Sequence, residues 1–397
     1  MQRKMILMHK DTPVMDVVFS DNRLVGISYI HDKTHLPVTN VGLNGFPSYG
    51  DIADWWDRRS IPKTRFNLDE IMNNVPTEFA NREELSNVSL GLSLSDQYWV
   101  KPLGANITYD DVNFFDNDFG HQLYDVCMNK QQVTAPKDLQ IIGASSSLGG
   151  NQKKAWKIID QTRYLIKESR APYNQESINE VIGTDVCNAL HLSCIQYSEI
   201  VSDDNRYSAC SVAISKSEDI VSGYDILNKY GNPYDKIHSL EQYKDFLKSN
   251  NLEDYTDDMI VVDYILRNTD RHWTNVGVIR DADSCSFVRT FPVFDFGNSL
   301  WHDTLTENID NKPVQNKLTG RMFEDDFKHL KDVHISHRDL IKIPEIVNKH
   351  LSNAGFPRDR VLKITDCVNQ RVDRIDKYFG LSKCYEEENN YDSQFGL

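Results

Sequence analysis

The sequence lacks the features that define several classes of protein. No stretch approaches the roughly 20 consecutive apolar residues of a membrane-spanning helix. The apolar run that follows residues 1–4 is too short for the core of a signal peptide. No two of the seven cysteines are spaced as C-x-x-C, so zinc-ribbon and thioredoxin-like motifs are without support. We therefore expect free thiols and a cytoplasmic protein with no membrane partner.

Positive charge is also scarce. The formal net charge is −15, and each phosphate contact with a nucleic acid or an anionic membrane requires a cation. We therefore expect no direct nucleic-acid partner, although a local basic cleft is compatible with this total. The 397 residues suffice for two or three folding units, and 40% hydrophobic with 26% charged residues is ordinary for a globular chain.

The first part of the chain has a mixed pattern. Residues 14–19 and 24–30 read as strands separated by a turn, and residues 52–58 as a short helix. Residues 92–100 also read as a strand. The polar, proline-containing segment 130–139 is the predicted boundary of this region.

The remainder alternates strand and helix patterns before becoming mostly helical. Apolar residues recur at helical spacing in residues 174–190 and 358–379. Residues 276–280 and 287–293 resemble paired strands joined by a turn. This order predicts an α+β lobe followed by a mostly α lobe. The acidic, Asn-rich tail, residues 385–397, is predicted to be disordered.

The strongest functional signal is a pair of short motifs. Asp270 and Asn275 are spaced as Asp-x-x-x-x-Asn, and Asp295-Phe296-Gly297 follows after a hairpin-length stretch. Either fragment alone is typical of an ordinary turn, because Asp, Asn and Gly favour turns. Together, in this order and with strands between them, they match the catalytic loop and metal-binding loop of protein kinases.

Phosphoryl transfer explains why these residue types are needed. The transition state carries dispersed charge, so the protein mainly positions groups and supplies electrostatic stabilisation. One carboxylate must orient the acceptor hydroxyl and take its proton, a role that falls to Asp270. An amide and a second carboxylate, Asn275 and Asp295, offer the hard oxygen ligands that Mg²⁺ prefers. Gly297 allows the chain to turn sharply behind the metal site.

The residues around both motifs resemble the HipA-like serine/threonine kinases, distant relatives of phosphoinositide and protein kinases. The resemblance rests on N-T-D-R-H-W-T-N, residues 268–275, and on F-D-F-G-N-S-L, residues 294–300, and covers roughly residues 140–350. It implies ATP and Mg²⁺ as cofactors and a two-lobed, kinase-like α+β fold.

The same resemblance divides the chain. Residues 140–230 would be the N-lobe and residues 231–384 the helical C-lobe. Residues 1–130 resemble the N-terminal accessory region of HipA-domain proteins found beside bacterial mobile elements, through the stretch at residues 91–99.

The resemblance also assigns an ATP-phosphate lysine and its glutamate partner. Lys167 ends a short predicted strand, residues 164–167, and would bind the α- and β-phosphates. Glu180 on the following helix would pair with that lysine. Glu176, one turn earlier, is the competing partner. Ser177 and Glu180 also have the spacing of a helix capping box.

A loop of small residues at 143–150 would cradle the phosphates through its backbone N–H groups. Its glycines are Gly143, Gly149 and Gly150. The loop is not a Walker motif, and a plain linker has the same composition. By resemblance, Ser145, Ser146 and Ser147 are candidates for autophosphorylation, which would place negative charge where ATP must bind and so inhibit.

The predicted function is ATP-dependent phosphorylation of Ser/Thr hydroxyls on a protein substrate. Family members that act as toxins phosphorylate aminoacyl-tRNA synthetases, so a synthetase or a translation factor is an expected substrate. An antitoxin would be a separate chain. Two alternatives remain at this point: a lipid or small-molecule kinase of the same fold, and a nucleotide-binding regulatory module without catalysis.

Overall fold

The computed structural model describes residues 2–42, 45–75, 81–128, 143–202 and 205–383. The strands are β1 (Gln2–His9), β2 (Thr12–Ser20), β3 (Arg23–Ile30), β4 (Tyr98–Pro102), β5 (Lys154–Ile159), β6 (Thr162–Glu168), β7 (Ser198–Ser202), β8 (Asn205–Ser211), β9 (Glu218–Ser222), β10 (Gly277–Asp281) and β11 (Phe287–Thr290). The predicted tail, residues 385–397, and the predicted boundary, residues 130–139, lie outside the described residues.

Helices alternate with the strands along the chain. They are α1 (Tyr49–Asp57), α2 (Leu68–Asn74), α3 (Arg82–Val88), α4 (Tyr109–Val112), α5 (Gln122–Cys127), α6 (Glu176–Ala189), α7 (Gly223–Tyr230), α8 (Ser239–Ser249), α9 (Thr256–Ile265), α10 (Phe323–Asp326), α11 (His337–Leu340), α12 (Ile343–Asn353) and α13 (Arg358–Phe379). Within the described ranges, no helix has both the length and the hydropathy required to cross a bilayer.

The chain divides into two compact units. Unit 1 comprises Met1–Glu168, Ala209–Asn232 and Gly277–Phe291, and unit 2 comprises Ser169–Ser208, Pro233–Val276 and Pro292–Leu397. The ranges expected from sequence, 1–130, 140–230 and 231–384, stay predictions about how the chain is organised.

Unit 1 opens with an antiparallel sheet of strand order β3-β2-β1-β4. Alternating burial along β2 places Met15, Val17 and Phe19 in a core that also takes Trp55 and Trp56 from α1. Side chains of a strand point alternately to its two faces, so this alternation produces one buried face. The strands predicted at residues 14–19 and 24–30 and the helix predicted at residues 52–58 are confirmed.

The strand predicted at residues 92–100 is largely wrong, because only Tyr98–Pro102 pairs as β4. Local side-chain hydrogen bonds shape the chain before it. Ser93 Oγ accepts from the Ser95 N–H at 3.1 Å, and Asp96 Oδ1 accepts from the Tyr98 N–H at 3.0 Å. Such bonds satisfy the backbone locally and compete with strand pairing.

A second antiparallel sheet of unit 1 has the order β11-β10-β9. Arg280 on β10 lies opposite Asp219 on β9, and the two form a buried ion pair at 2.8 Å. Burial by itself would raise the pKa of Asp219, but the hydrogen bond from His9 and the charge of Arg280 lower it to about 2. Asp219 therefore stays ionised inside unit 1.

Unit 2 is organised around its long C-terminal helix. α13 begins and ends where the periodicity predicts, and Val361, Ile364, Val368, Val372 and Ile375 are all buried. Arg360 and Arg371 are buried on it as well. Arg371 donates to the Tyr264 carbonyl at 2.7 Å, so a buried arginine joins α13 to the end of α9.

Candidate functional site

The loop at residues 268–275 follows directly from helix α9 in unit 2. Every residue of α9 is buried, which is typical of a core helix with no solvent-facing side. Arg267, just after the helix, has a left-handed φ of 52°, and the Asn268 N–H donates to the Asp263 carbonyl at 2.8 Å. This turn ends the helix and directs the loop away from it.

A buried ion pair fixes the loop to α9. Arg271 Nε donates to Asp263 Oδ2 at 2.8 Å, and Arg271 Nη2 donates to Asp263 Oδ1 at 3.0 Å. Both side chains are 1% exposed. Burial by itself would lower the pKa of Arg271, but the Asp263 carboxylate outweighs it and raises that pKa. The remaining nitrogen, Nη1, donates to the carbonyls of Asn275 and Phe294.

The Asp270 carboxylate is held at both oxygens by unit 2 side chains. Asn298 Nδ2 donates to Oδ2 at 2.7 Å, and Lys317 Nζ donates to Oδ1 at 2.5 Å. Asn268 Oδ1 accepts from the Asp270 N–H at 3.1 Å. Lys317 is half exposed, so the pair lies at the surface of unit 2. The carboxylate is oriented and accessible, as a group that takes a proton must be.

Asn275 closes the loop through its own amide. Its Nδ2 donates to the Asp270 carbonyl at 3.2 Å, and the side chain is mostly buried at the end of a short 3₁₀ turn, Trp273–Asn275. Because the nitrogen is used within the loop, the amide oxygen is the end available to a ligand. This oxygen and the Asp295 carboxylate form a hard donor set that fits Mg²⁺ chemically.

The Asp295-Phe296-Gly297 tripeptide lies against the same loop. Asn268 Nδ2 donates to the Asp295 carbonyl at 3.3 Å, and Asp295 has a left-handed φ of 67°. The Phe296 ring packs beside Gly183 of α6, where an added Cβ would lie 2.3 Å from the ring. The Arg271 guanidinium lies 5.1 Å from the ring's centre. The two sequence motifs are therefore packed together within unit 2.

Glu180 is fully buried on α6, and its Oε2 accepts from the Phe296 N–H at 2.8 Å. Glu176, the competing candidate, forms its ion pair with Arg170. Asn179 Nδ2, between them, donates to the Gly297 carbonyl at 3.0 Å. The first turns of α6 therefore hold the tripeptide in place. Lys167 lies on β6 in unit 1 and is 2% exposed, and its pairing with Glu180 stays a prediction.

The small-residue loop belongs to unit 1. Between Gly143 and Leu148 it forms a 3₁₀ turn, and Gly150 after it has a φ of 83°. Ser145 Oγ accepts from the Trp156 N–H at 2.9 Å, and Ser146 Oγ donates to the Gly143 carbonyl at 2.9 Å. Ser145 and Ser146 are buried and Ser147 is half-buried. Gly149 has open space around it. Phosphate binding and autophosphorylation here stay predictions.

Burial and neighbouring charges affect the pKa of His272 in opposite directions. Burial lowers its pKa, while the carboxylates of Asp270 and Asp295 both act in the opposite direction. Thr274 Oγ1 lies 2.7 Å from His272 Nδ1, so the ring is tied to its own loop.

Several residues of the site were missed by sequence reasoning. They are the residues that hold the Asp270 carboxylate and the Glu176 carboxylate: Lys317, Asn298 and Arg170. Asn298 directly follows the tripeptide, and that position was a signal. Lys317 comes from a distant loop with no recognisable pattern, so nothing in the sequence indicated it.

Several solved structures resemble the chain, among them those of two bacterial proteins. One, from Shewanella oneidensis MR-1, contains HipA of a toxin–antitoxin system with HipB and operator DNA; the identity is 12%, the match covers 95% of this chain and 98% of that chain, and the TM-score is 0.54. The other is the Helicobacter pylori proinflammatory kinase CtkA. It is 17% identical, the match covers 58% of this chain and 95% of that chain, and the TM-score is 0.45. No family model matches the sequence, and no curated protein matches it.

The match to HipA shows the fold: the chain has a HipA-like kinase fold, and the predicted α+β, kinase-like class is confirmed. One expectation is not borne out. Net charge led us to expect no nucleic acid, yet the HipA structure is a complex with operator DNA. Total charge is a poor guide here because a partner protein can supply the cations that contact DNA.

Proposed function

Starting from this fold, we propose that the chain is an ATP- and Mg²⁺-dependent kinase that phosphorylates Ser/Thr hydroxyls on a protein substrate. One observation carries the proposal: side chains of Arg271 and Asn268 join the loop at residues 268–275 to the backbone carbonyls of Phe294 and Asp295. A chance pair of turn motifs has no reason to be joined in this way.

In this proposal Asp270 accepts the proton of the acceptor hydroxyl. Asn298 and Lys317 hold its two oxygens, which reduces the number of orientations that the carboxylate samples. Because it contacts the proposed base, the Lys317 ammonium would also be near the negative charge that develops during transfer, and a fixed cation stabilises such charge. Lys317 therefore has a positioning role and an electrostatic role in the proposed reaction.

Asn275 and Asp295 are the residues that would hold the magnesium ion. When bound, the ion would neutralise charge on the triphosphate. The chain prepares the ligands in advance, since the Asn275 amide is oriented by the Asp270 carbonyl. The Asp295 backbone is fixed by Asn268. Neither residue has to rearrange its backbone hydrogen bonds to present an oxygen.

Binding of the nucleotide is assigned to Lys167, with Glu180 as its partner, and to the loop at residues 143–150. These roles rest on the family resemblance. Phosphorylation of Ser145 or Ser146 would require the 3₁₀ turn to open, because both hydroxyls are buried and hydrogen-bonded. Ser147, which is half-buried, is the most accessible of the three.

Partners are also proposed by analogy. The HipA structure supports a separate antitoxin chain, and DNA would then be contacted as part of the complex. A translation factor or an aminoacyl-tRNA synthetase is the proposed substrate. The acidic net charge of −15 disfavours an anionic membrane surface as the substrate's location.

The test is transfer of label from γ-labelled ATP by the full chain, using wild type, Asp270→Asn and Asp295→Asn. We expect Asp270→Asn to reduce transfer by about 10²–10⁴-fold, the range for loss of a general base, while ATP still binds. Asp295→Asn should weaken the magnesium dependence of ATP binding. Asp373→Asn, an exposed acid on α13, is the matched control and should behave as wild type.

The position of the label separates the alternatives. Label on serine or threonine of a protein supports the proposal, and label on a lipid or metabolite identifies the other kinase class. ATP binding without transfer from wild type identifies a regulatory module. Full transfer activity in Asp270→Asn would remove that residue from the proposed role.

A further inference from the structure

A cluster of potential metal-binding side chains lies in unit 1 and shares no residue with the set assigned to the proposed kinase reaction. His9 ends β1, His35 lies in the loop after β3, and Cys285 lies in the turn between β10 and β11. One potential ligand atom from each lies within 4.8 Å of the other two. Three segments distant in sequence thus bring two imidazoles and a thiol to one place.

The spacing of the donor atoms fits a tetrahedral zinc ion. His9 Nδ1 lies 2.8 Å from His35 Nδ1, and Cys285 Sγ lies 3.5 Å from His35 Nδ1. Zn–N and Zn–S bond lengths with tetrahedral angles place two nitrogens about 3.3 Å apart and a nitrogen and a sulfur about 3.5 Å apart. The two imidazole nitrogens would have to move apart by about half an ångström to bind the ion.

The tautomer of His9 is already that of a metal ligand. His9 Nε2 lies 2.9 Å from Asp219 Oδ2, and the ionised carboxylate can only accept, so Nε2 carries the proton. In the neutral ring the lone pair is then on Nδ1, which points at His35. Histidines that bind metals commonly donate their other N–H to a carboxylate in this way. Arg280 in turn fixes Asp219 through two nitrogens.

The other two ligands are also held in place. Asp32 Oδ1 accepts from the His35 N–H at 3.1 Å, and Tyr98 Oη donates to the His35 carbonyl at 2.8 Å. Cys285 has a φ of 57°, in the left-handed region where glycine or asparagine is the favoured residue. A cysteine, which has a Cβ, is strained in that conformation. Backbone strain of this kind is found most often at functional sites.

We propose that His9, His35 and Cys285 bind one zinc ion, with the fourth position open to water or to an additional ligand. A set of two imidazoles and one thiolate suits Zn²⁺, whereas Mg²⁺ prefers oxygen ligands. The ion would join the end of β1, the loop after β3 and the hairpin of β10 and β11. Since it binds only when these segments meet, it would stabilise unit 1.

The test uses the full chain, stripped of metal with a chelator and titrated with Co²⁺ as a spectroscopic probe, then with Zn²⁺. Wild type should bind one equivalent of Co²⁺ with tetrahedral d–d bands and a thiolate-to-cobalt charge-transfer band, and Zn²⁺ should displace it. Cys285→Ser should lose the charge-transfer band. Cys285→Ser and His35→Ala should each bind Zn²⁺ at least about tenfold more weakly.

Two controls keep the test specific. Cys194→Ser removes another partly exposed thiol, in unit 2, and His31→Ala removes a histidine of unit 1 that pairs with Asp16 instead. Both should bind Co²⁺ as wild type does. Zn²⁺ should raise the unfolding temperature of wild type and of the controls, and raise that of Cys285→Ser by less at the same Zn²⁺ concentration. Absence of binding in wild type, or an unchanged cobalt spectrum in Cys285→Ser, would overturn the proposal.

Discussion

A buried arginine–aspartate pair lies in each unit, Arg271–Asp263 in unit 2 and Arg280–Asp219 in unit 1, and the two pairs differ in what they hold. In unit 2, Asp263 accepts from Arg271 and from Asn268, both in the loop that carries Asp270. In unit 1, Asp219 accepts from Arg280 on the neighbouring strand and from His9. The first pair fixes a loop, whereas the second orients an imidazole.

The other hydrogen bonds of each arginine show the same difference. Arg271 directs Nη1 to two backbone carbonyls, one in each motif of the proposed kinase site. Arg280 directs Nη2 to the hydroxyl of Tyr98, whose ring stacks on His9. A buried ion pair by itself is weak evidence for stability, because desolvation offsets the attraction. What these pairs supply is a fixed position for the groups around them.

Breaking the pair in unit 2 should have the largest effect. Asp263→Asn leaves Arg271 buried without a countercharge, and such a change costs about 3–5 kcal/mol of unfolding free energy. The loop at residues 268–275 should lose its position, so transfer of label should also fall to background. Urea denaturation and the transfer assay measure the two effects, with Asp373→Asn as the control. A stable, active Asp263→Asn protein would contradict the structural role.

Asp219→Asn breaks the pair in unit 1 and should lower the unfolding free energy by about 3 kcal/mol at neutral pH, measured in the presence of a chelator. The pKa of Asp219 is about 2 in the folded chain and about 3.9 when unfolded, so the folded chain binds fewer protons in that interval. The ionised Asp219 carboxylate therefore contributes its full stabilisation of the folded chain above about pH 4, and this contribution is lost as the pH falls through 2.

The stability difference between wild type and Asp219→Asn should therefore narrow by about 2 kcal/mol as the pH falls from 4 toward 2. Urea denaturation at matched pH values measures it. A difference that stays constant with pH would show that Asp219 is not held ionised by its neighbours.

A smaller effect is expected at Gly183, where α6 contacts the Phe296 ring. An alanine Cβ would lie 2.3 Å from the ring, so the tripeptide must move. Overpacking of this kind costs about 1–3 kcal/mol, and Gly183→Ala should also weaken magnesium-dependent ATP binding. Gly50→Ala in α1 is the control, because its nearest neighbour lies at an ordinary 3.6 Å. Equal behaviour of both variants would argue against the contact.

The smallest effect on stability is expected at Lys317. Its pair with Asp270 is half exposed, and such pairs contribute 0–1 kcal/mol. Lys317→Gln should therefore unfold as wild type does while kcat for transfer falls by about tenfold, or 1.4 kcal/mol. Lys312→Gln, at another exposed lysine of unit 2, is the matched control. Loss of stability without loss of kcat would assign Lys317 a structural role only.

Parts of the fold were predictable because they depend on local pattern. The apolar stripe of α13 and the turn-separated strands β2 and β3 are properties of consecutive residues, and both are confirmed. The strand prediction for residues 92–100 was largely wrong because serine and aspartate side chains form local hydrogen bonds there in place of strand pairing. A strand prediction that rests on the pattern of apolar residues cannot detect that competition.

The candidate site could be proposed from the sequence where residue identity suggests the chemistry, at positions 270, 275 and 295, and the roles of these residues stay predictions. It was not predictable where tertiary packing decides. The polar first turns of α6 are buried, and Lys317 reaches Asp270 from a remote loop. The cluster of His9, His35 and Cys285 has no sequence motif at all, because its members are brought together only by the strands that carry them.

The left-handed backbone at Asp295 limits how this protein can diverge. Among residues with a Cβ, asparagine and aspartate adopt that conformation most readily. A descendant that loses the proposed kinase activity while keeping its architecture would therefore most readily carry asparagine at this position. A valine or isoleucine there would instead indicate a lineage in which the backbone around the proposed metal ligands has changed.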